Sequence, residues 1–511
     1  MSKGEGNYLV KYETVIGLEV HAQLLTKSKM FCGCSTKFGE PPNTLTCPIC
    51  LGMPGVLPVI NKRAVEFALK TALALNCQIN PGCRFSRKHY FYPDMPKNYQ
   101  ISQYDQPLAR HGFILLRLNG ESRRVGIRRV HLEEDVGKLV HAGTMAEAQY
   151  SYVDFNRSGV PLLEIVSEPD IHSPEEAAEY LRQIRAVLMY LEVCDGNMEE
   201  GSLRCDANIS VRPVGSQELG VKTEVKNMNS FKAVQKALEY EVKRQIKALE
   251  GGGRIVQETR LWDADQGVTL SMRTKEEAHD YRYFPEPDLL PLEVSPVWIE
   301  EVRSSLPELP ESRRRRFVEH YGLPEYDAGV LTADKEWADY YEECVRLYPK
   351  DPKIVSNWIT SEVFYRLKLE DREIRQAGVD SDVRWGEIWV RTQLIPPSRL
   401  IELLRLIDEG TISGKIAKTV LDEMFREHTK PPKKIVEELG LTQISDEEEL
   451  LRVVEEVITQ NPGPVADYRA GKEKSFTYLV GQVMKATKGK ANPQLANRLL
   501  RERLGEPGEK S

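Results

Sequence analysis

Three segments of the chain alternate apolar and ionisable residues. In Thr14–Leu24, Ile16, Leu18, Val20, Ala22 and Leu24 fall on one side, and Glu19, His21 and Gln23 on the other. In Leu203–Val211 the apolar side holds Leu203, Cys205, Ala207, Ile209 and Val211, opposite Arg204, Asp206, Asn208 and Ser210. In Val221–Lys226, Lys222, Glu224 and Lys226 share a side. A period of two is that of an extended strand with one buried face. The other face of such a strand ordinarily meets water, and each segment taken singly allows that reading. Their composition argues for more, because solvated strand faces carry mostly Thr, Lys and Ser. Further carboxylates stand in strand-like segments: Glu133, Glu134 and Asp135 in HLEED, and Glu164 in VPLLEIVSEPD. Carboxylates suit a hard divalent cation, and Lys and Arg offset phosphate charge. One sheet face carrying both is suited to phosphoryl chemistry with Mg²⁺, and the histidine also admits Mn²⁺.

Cys32-Gly-Cys34 and Cys47-Pro-Ile-Cys50 are separated by twelve turn-forming residues rich in Gly, Pro, Thr and Asn. Four thiolates in such a loop predict tetrahedral, structural Zn²⁺, although the first pair is C-x-C rather than C-x-x-C. The alternative is four unliganded thiols. The other five cysteines (Cys77, Cys83, Cys194, Cys205 and Cys344) are scattered and read as small packed side chains.

Residues 80–130 hold ten Lys/Arg against three Asp/Glu, with Phe85, Tyr90, Phe91, Tyr92, Tyr99 and Tyr104 interleaved. Cations beside flat rings could hold phosphates and stack bases, or could be a packed, Tyr-rich loop with solvated charges. There is no G-x-x-x-x-G-K-[ST] loop and no kinase Gly loop, so a nucleotide would have to be held by another architecture.

These residues need a scaffold, and the chain is long enough for several domains: 511 residues, 41% hydrophobic and 29% charged, with a net charge of −7. That charge excludes a uniformly basic nucleic-acid coat but allows local basic patches. No apolar leader or membrane-length apolar run is present, so a reducing, cytoplasmic setting is expected. Residues 1–292 read as strand-rich, with two clear helices. One spans 174–191, with Ser173 as N-cap, Pro174 first and Glu176 closing a capping box. The second starts after Asn229 and runs to Gly251, with Ala233, Val234, Ala237, Leu238 and Val242 as its apolar face. Prolines 291, 296, 307 and 310 suggest a linker, followed by helices at 311–321, 333–347, 352–367 and 396–408. Arg313–Arg316 is expected on a solvated helix face. From residue 409 a helical tail is expected, first acidic (Asp446–Glu449) and then basic. Residues 471–511 carry nine Lys/Arg against four Asp/Glu.

IGLEVHAQL, CGCSTKFGEPPNTLTCPICLGMPGVLPVIN, RKHYFYPDMPKNYQISQYDQPL, HLEEDVGK, DFNRSGVPLLEIVSEPD, EEGSLRCDANISVRP and TEVKNMNSFK together resemble the GatB family, one of the three components of the aspartyl/glutamyl-tRNA amidotransferases. The closing segment GKEKSFTYLVGQVMKATKGKANPQLANRLL is similar to that family's YqeY-like tail. The resemblance runs the whole chain in order. It implies an α+β fold: an open antiparallel β-sheet cradle with helices, similar to glutamine synthetase and guanido kinases, then an all-α domain and an all-α tail. The implied boundaries are 1–292 for the cradle with its zinc loop at 32–50, 293–408 for the helical domain and 409–511 for the tail. It implies two partner chains in a heterotrimer, the amidase GatA and the small GatC, and admits the non-discriminating synthetase as a further partner. The implied reaction uses misacylated Glu-tRNA(Gln) or Asp-tRNA(Asn), held by its acceptor end and elbow. ATP phosphorylates the side-chain carboxylate, and ammonia from glutamine displaces the phosphate.

Carried over residue by residue, the resemblance implies Glu19, His21, Glu134 and Glu164 as the Mg²⁺ environment and Lys88 as a phosphate contact, with His89 and Tyr90 beside it. Arg204 and Asp206 would face phosphate or metal, and Lys97 and Glu134 would line the ammonia route. Cys32, Cys34, Cys47 and Cys50 match zinc ligands that some members lack, which implies a structural metal. In the tail, Lys472, Lys474, Lys485, Lys488 and Lys490, with Arg498, Arg501 and Arg503, would follow tRNA phosphates, which position the RNA without identifying it. A solvated helix end would explain the same tail charges. Two other readings compete: a zinc-stabilised RNA-binding protein without chemistry of its own, and a stand-alone ligase of glutamine synthetase type. Clustered carboxylates weigh against the first. The basic tail and the lack of any G-x-S-x-G or Ser-Lys amidase signature weigh against the second.

Overall fold

The computed structural model describes residues 11–118, 120–141, 150–274, 281–368, 395–427, 430–441, 447–487 and 490–505. Alternation makes Tyr12–Gln23 a strand, β1, whose Ile16, Leu18, Val20 and Ala22 are fully buried. Fifteen further strands follow among the described residues. They are β2 (Gln78–Ile79), β3 (Gly82–Cys83), β4 (Ser86–His89), β5 (Tyr99–Ser102), β6 (Ala109–Leu118), β7 (Glu121–Glu134), β8 (Lys138–His141) and β9 (Ser151–Asp154). Then come β10 (Pro161–Ser167), β11 (Leu203–Pro213), β12 (Thr223–Lys226), β13 (Glu258–Asp263), β14 (Val268–Thr274), β15 (Phe284–Pro285) and β16 (Leu292–Glu293). Twelve of them form one open sheet in the order β14-β13-β12-β11-β1-β10-β7-β5-β4-β15, with β6 on β7 and β2 on β6. All its pairs are antiparallel except β12–β13. The wholly antiparallel expectation fails there because a helix lies between the two strands and returns the chain in the same direction.

That helix is α3 (Phe231–Glu250). With α1 (Lys62–Ala74) and α2 (Pro174–Tyr190) it covers the apolar face of the sheet. The Ser173 cap bonds Glu176 N at 3.1 Å, and the Glu176 carboxylate accepts from His172 N rather than from the cap itself. On α3, Val234, Ala237 and Leu238 are buried, and so are Glu241 and Gln245. Glu241 is tolerated there because Arg244, Gln245 and Thr269 satisfy its oxygens. Helix α1 is a third helix where two were expected; Asn61 caps it and nine of its residues are buried.

The first compact unit ends at Ser312 and the second begins at Arg313. Apolar burial is therefore offset from the expected 292/293 boundary. Pro296 opens helix α4 (Pro296–Ser304), whose Val302 belongs to the core of the first unit, and Pro310 opens α5 (Pro310–Tyr321). These prolines start helices rather than mark a linker. Arg313 is also buried, not solvated. It pairs with Glu342 and Asp339, while Arg316 pairs with Glu342 and Arg314 with Glu325.

The second unit continues through α6 (Glu325–Leu331), α7 (Lys335–Leu347), α8 (Pro352–Asn357) with a π turn at Trp358–Val363, α9 (Pro397–Asp408), α10 (Gly414–Arg426) and α11 (Pro432–Glu438). One core runs from Phe317 to Val436 and so crosses the expected 408/409 boundary: Ile416, Val420, Leu421 and Val436 pack with the preceding helices. Gly410, at φ 71°, ends α9 but not the core. A separate core is built from α12 (Glu447–Gln460), α13 (Pro462–Arg469), α14 (Glu473–Ala486) and α15 (Pro493–Leu504). Each fully buried aliphatic side chain contributes roughly 1.5–3 kcal/mol. A chain ending at residue 441 should therefore keep the cooperative unfolding of the Phe317–Val436 core, whereas one ending at 409 should lose it. Denaturant unfolding of both truncations checks this.

Candidate active site

The pairing register fixes which polar residues meet. Arg204, His21, Glu164 and His131 are successive partners across β11, β1, β10 and β7. The neighbouring row on one side is Asp206, Glu19, Val166 and Arg129, and on the other Gln23, Leu162, Glu133 and Ser102. All of these lie on the face away from the helices. The result is a compact group. His21 Nε2 lies 3.4 Å from Glu164 and 3.9 Å from Glu133, and His131 Nε2 lies at the same distances from the same two carboxylates. One donor atom each from His21, Glu133 and Glu164 fall within 4.8 Å of one another, close enough to share one cation.

Charge around the group is strongly biased. Burial would raise the Glu164 carboxyl, but His131, His21 and Arg129 hold it well below its ordinary range. Burial would likewise raise Glu133, and the bond from His131, with Lys88 and His21 nearby, lowers it. Burial alone would depress His21. The hydrogen bond to Glu164 and the charges of Glu164, Glu133 and Asp206 outweigh it and raise the imidazole. Two carboxylates held low beside an imidazole held high are a site that favours positive charge, and a cation bound there would take the place of the imidazole proton. Glu19 stands beside them with its pKa raised by burial and by Glu164, and accepts from Asn208 at 3.0 Å. Lys88 faces the group from β4. Burial would lower its pKa, but Glu133, Tyr283 and Glu164 raise it, and its ammonium lies 5.1 Å from the Tyr281 ring. Arg204 bonds Asp135 at 2.9 Å, and Asp206 pairs with Lys226.

Two expected residues are placed elsewhere. Glu134 does not join the metal group: period-two alternation turns Glu133 toward it and Glu134 to the reverse face of β7. There Glu134 pairs with Lys97 and accepts from Ile101 N at 2.9 Å. Lys97 and Glu134 are thus paired with each other. His89 also points away from Lys88; its ring stacks on Phe284 at 4.9 Å and its Nδ1 lies 3.2 Å from the Arg282 carbonyl. Tyr90 stays on the Lys88 side, 6.1 Å from Tyr281 and with its hydroxyl pKa raised by burial. His131, Glu133 and Asp135 occupy alternating positions in HLEED, and the strand period sets Glu134 apart from them.

Most cations of the basic stretch pair with carboxylates from other segments of the chain. Arg87 pairs with Glu286, Lys97 with Glu134, Arg117 with Glu311, Arg123 with Glu176, Arg128 with Glu168 and Arg129 with Glu164. Phe85 is core, Tyr104 stacks on Tyr283 at 3.9 Å, and Phe91 and Tyr92 are exposed. In the tail, Lys472, Lys474 and Lys485 are exposed and Lys490 is half-buried, while Lys488 lies outside the described residues. Arg498 and Arg503 pair with Glu447 and Glu455, and Arg501 lies over Phe476.

The four loop cysteines converge, with all four sulfurs within 4.8 Å of one another and Cys47 and Cys50 at 3.9 Å. Tetrahedral bonds of about 2.3 Å to zinc set sulfurs about 3.8 Å apart, so the set fits Zn²⁺. A thiol hydrogen bond from Cys32, and Lys29 nearby, bring Cys50 down to about 4, while burial helps push Cys34 up to about 11. The remaining five cysteines are buried. Among the described residues no helix is long and apolar enough to cross a membrane.

Residues 14–300 match the GatB/GatE catalytic domain, and residues 339–504 match the GatB domain. The GatB protein of the aspartyl/glutamyl-tRNA(Asn/Gln) amidotransferase of Moorella thermoacetica is 60% identical over 97% of this chain and 100% of its own length. The same protein of Caldanaerobacter subterraneus is 59% identical over 97% and 100%, and that of Carboxydothermus hydrogenoformans 56% over 97% and 99%. Mn²⁺ affinity, read by electron paramagnetic resonance, should fall about 100-fold in Glu133→Ala and Glu164→Ala and stay within about twofold in Glu134→Ala. Equal losses in all three would contradict the face assignment.

Proposed function

The chain belongs to the GatB/GatE family, and from that premise we propose that it works as the GatB component of a tRNA-dependent amidotransferase, activating the side-chain carboxylate of a misacylated tRNA with ATP. The observation that carries this is the buried pair of carboxylates flanked by two histidines and faced by Lys88, set in the middle of an open sheet. Such a group holds a divalent cation and polyphosphate together, which neither RNA binding nor assembly requires.

A carboxylate is a poor electrophile because its leaving group is oxide-like. Phosphorylation removes that obstacle. One oxygen of the Glu or Asp side chain attacks the γ-phosphorus of ATP, the bond to the β-phosphate oxygen breaks, and ADP leaves. Ammonia then attacks the acyl carbon. Phosphate departs with the bonding pair, the nitrogen sheds a proton, and the amide remains. His21, Glu133 and Glu164 are the residues that would hold Mg²⁺ or Mn²⁺, with Glu19 beside them; the bound cation supplies charge neutralisation at the phosphates. Lys88 adds a cation aimed at the same place, and Arg204 and Asp206 flank it. Tyr281 and Tyr283 wall the Lys88 side, which favours keeping water from the acyl phosphate.

Ammonia comes from glutamine through a separate amidase, GatA, assembled with the small GatC. We place Lys97 and Glu134 on its route, at the end of β7 and on the face opposite the carboxylate group. We assign the tail's Lys472, Lys474, Lys485 and Lys490 to the RNA backbone, where cations offset phosphate charge. In the assembled complex, Lys88→Ala should reduce ATP-dependent formation of Gln-tRNA or Asn-tRNA about 10²–10³-fold while leaving glutamine hydrolysis intact. A transamidation assay with both misacylated tRNAs, with and without ATP, reads this; unchanged amidation in Lys88→Ala would remove Lys88 from the site.

A further inference from the structure

The four-cysteine loop touches the Lys97–Glu134 pair directly. Its second cysteine pair closes a tight turn in which Leu51 N bonds the Cys47 carbonyl at 3.1 Å, Gly52 N that of Ile49 at 3.0 Å and Met53 N that of Pro48 at 2.9 Å. The turn leaves Gly52 at φ 67°, against the Lys97 side chain. A β-carbon on Gly52 would lie 2.4 Å from Lys97 Cγ and 3.2 Å from Lys97 Cα, so any side chain there would displace Lys97. Gly159 stands between the cysteine loop and Glu134. Gly159, at φ 85°, packs where a β-carbon would meet Cys50 Cβ at 3.4 Å and Glu134 Oε2 at 3.9 Å. Fully buried Lys29 bonds the Cys50 sulfur at 3.6 Å and the Phe155 carbonyl at 3.4 Å, and Phe31, next to Cys32, places its ring 5.9 Å from the Lys97 ammonium. A cavity of about 180 Å³ is lined jointly by Cys32, Cys50, Gly52, Lys97, Glu134 and Gly159. Metal ligands and the charged pair therefore share one wall.

We propose that the four-cysteine loop is a positioning device for the Lys97–Glu134 pair, so that metal held by Cys32, Cys34, Cys47 and Cys50 fixes the Gly52 turn, seats Lys97 on Glu134 and couples metal occupancy to amide formation. This rests on the reading of the pair as part of the ammonia route. Without the metal, only a few hydrogen bonds hold the turn, and four buried or half-buried thiols have no shared ligand to gather them. Lys97 then loses the surface that restricts it. Gly52 and the cysteines act here through Lys97 and touch no reacting atom.

The test compares four forms of the assembled complex: wild type, wild type stripped of zinc by a chelator, Gly52→Ala and Lys97→Ala. Three readouts are taken: zinc per chain, amide formed per ATP cleaved with glutamine as donor, and the rate at which an amine reagent labels Lys97, followed by mass spectrometry. Gly52→Ala should keep about one zinc per chain. Its ATP cleavage should stay near wild type, while amide per ATP falls about tenfold and Lys97 labels correspondingly faster. The stripped wild type should show the same fall and the same faster labelling. If Lys97→Ala leaves amide per ATP unchanged, the ammonia-route reading fails and takes the coupling with it. If Lys97→Ala lowers the ratio but stripping and Gly52→Ala change neither ratio nor labelling, the positioning role is overturned and the route stands. Should Gly52→Ala not fold, the stripped wild type decides. Loss of its ATP cleavage together with the ratio would mean a general structural metal and would overturn the proposal.

Discussion

Two carboxylates buried side by side repel each other, and both stay ionised only if positive charge is held between or around them. Glu133 and Glu164 are in that position, each within 4 Å of the same two imidazoles. Everything about the cradle sheet serves to enforce it. The apolar residues of β1, β10 and β11 lock the register by burying one face under three helices, and a slip of one residue would turn His21 and Glu164 into that core. Lys88, Arg129 and Arg204 then bias the pocket toward anionic ligands that bring their own cation. ATP with a divalent ion meets both demands.

The two faces of β7 divide the labour. Glu133 and Asp135 look onto the side of His21 and Arg204, and Glu134, between them, looks onto the Lys97 cavity and the cysteine loop. On the reading proposed above, adjacent residues of one strand would serve the two half-reactions, activation and amidation. The near-neutral total charge conceals this arrangement. Much of the basic stretch at 80–130 neutralises carboxylates from distant segments, so its excess charge describes how the cradle is stitched together more than how it meets RNA.

Much of the site was legible as pattern. Alternation in Thr14–Leu24 and Leu203–Val211 identified both strands and the side their ionisable residues take, and the C-x-C and C-x-x-C pairs do converge as their spacing suggested. What was not legible depended on three-dimensional register. HLEED contains two adjacent glutamates, and only the phase of β7 decides which one meets His21. The parallel β12–β13 pair was hidden because strand chemistry says nothing of direction. Prolines between 291 and 310 resemble a linker in one dimension, yet two of them begin helices, and one of those helices packs onto the first core. Arg313–Arg316 looked solvated because its partners, Glu325, Asp339 and Glu342, are contributed by α6 and α7.

The central claim is that the cradle makes an acyl phosphate from the substrate's own carboxylate. Isotope transfer tests it most directly. Misacylated tRNA carrying oxygen-18 in the side-chain carboxylate is amidated by the complete complex with unlabelled ATP, and the released inorganic phosphate is weighed by mass spectrometry. Activation by phosphorylation predicts one labelled oxygen in each phosphate released during amide formation. Unlabelled phosphate from a complex that still forms the amide would contradict the account.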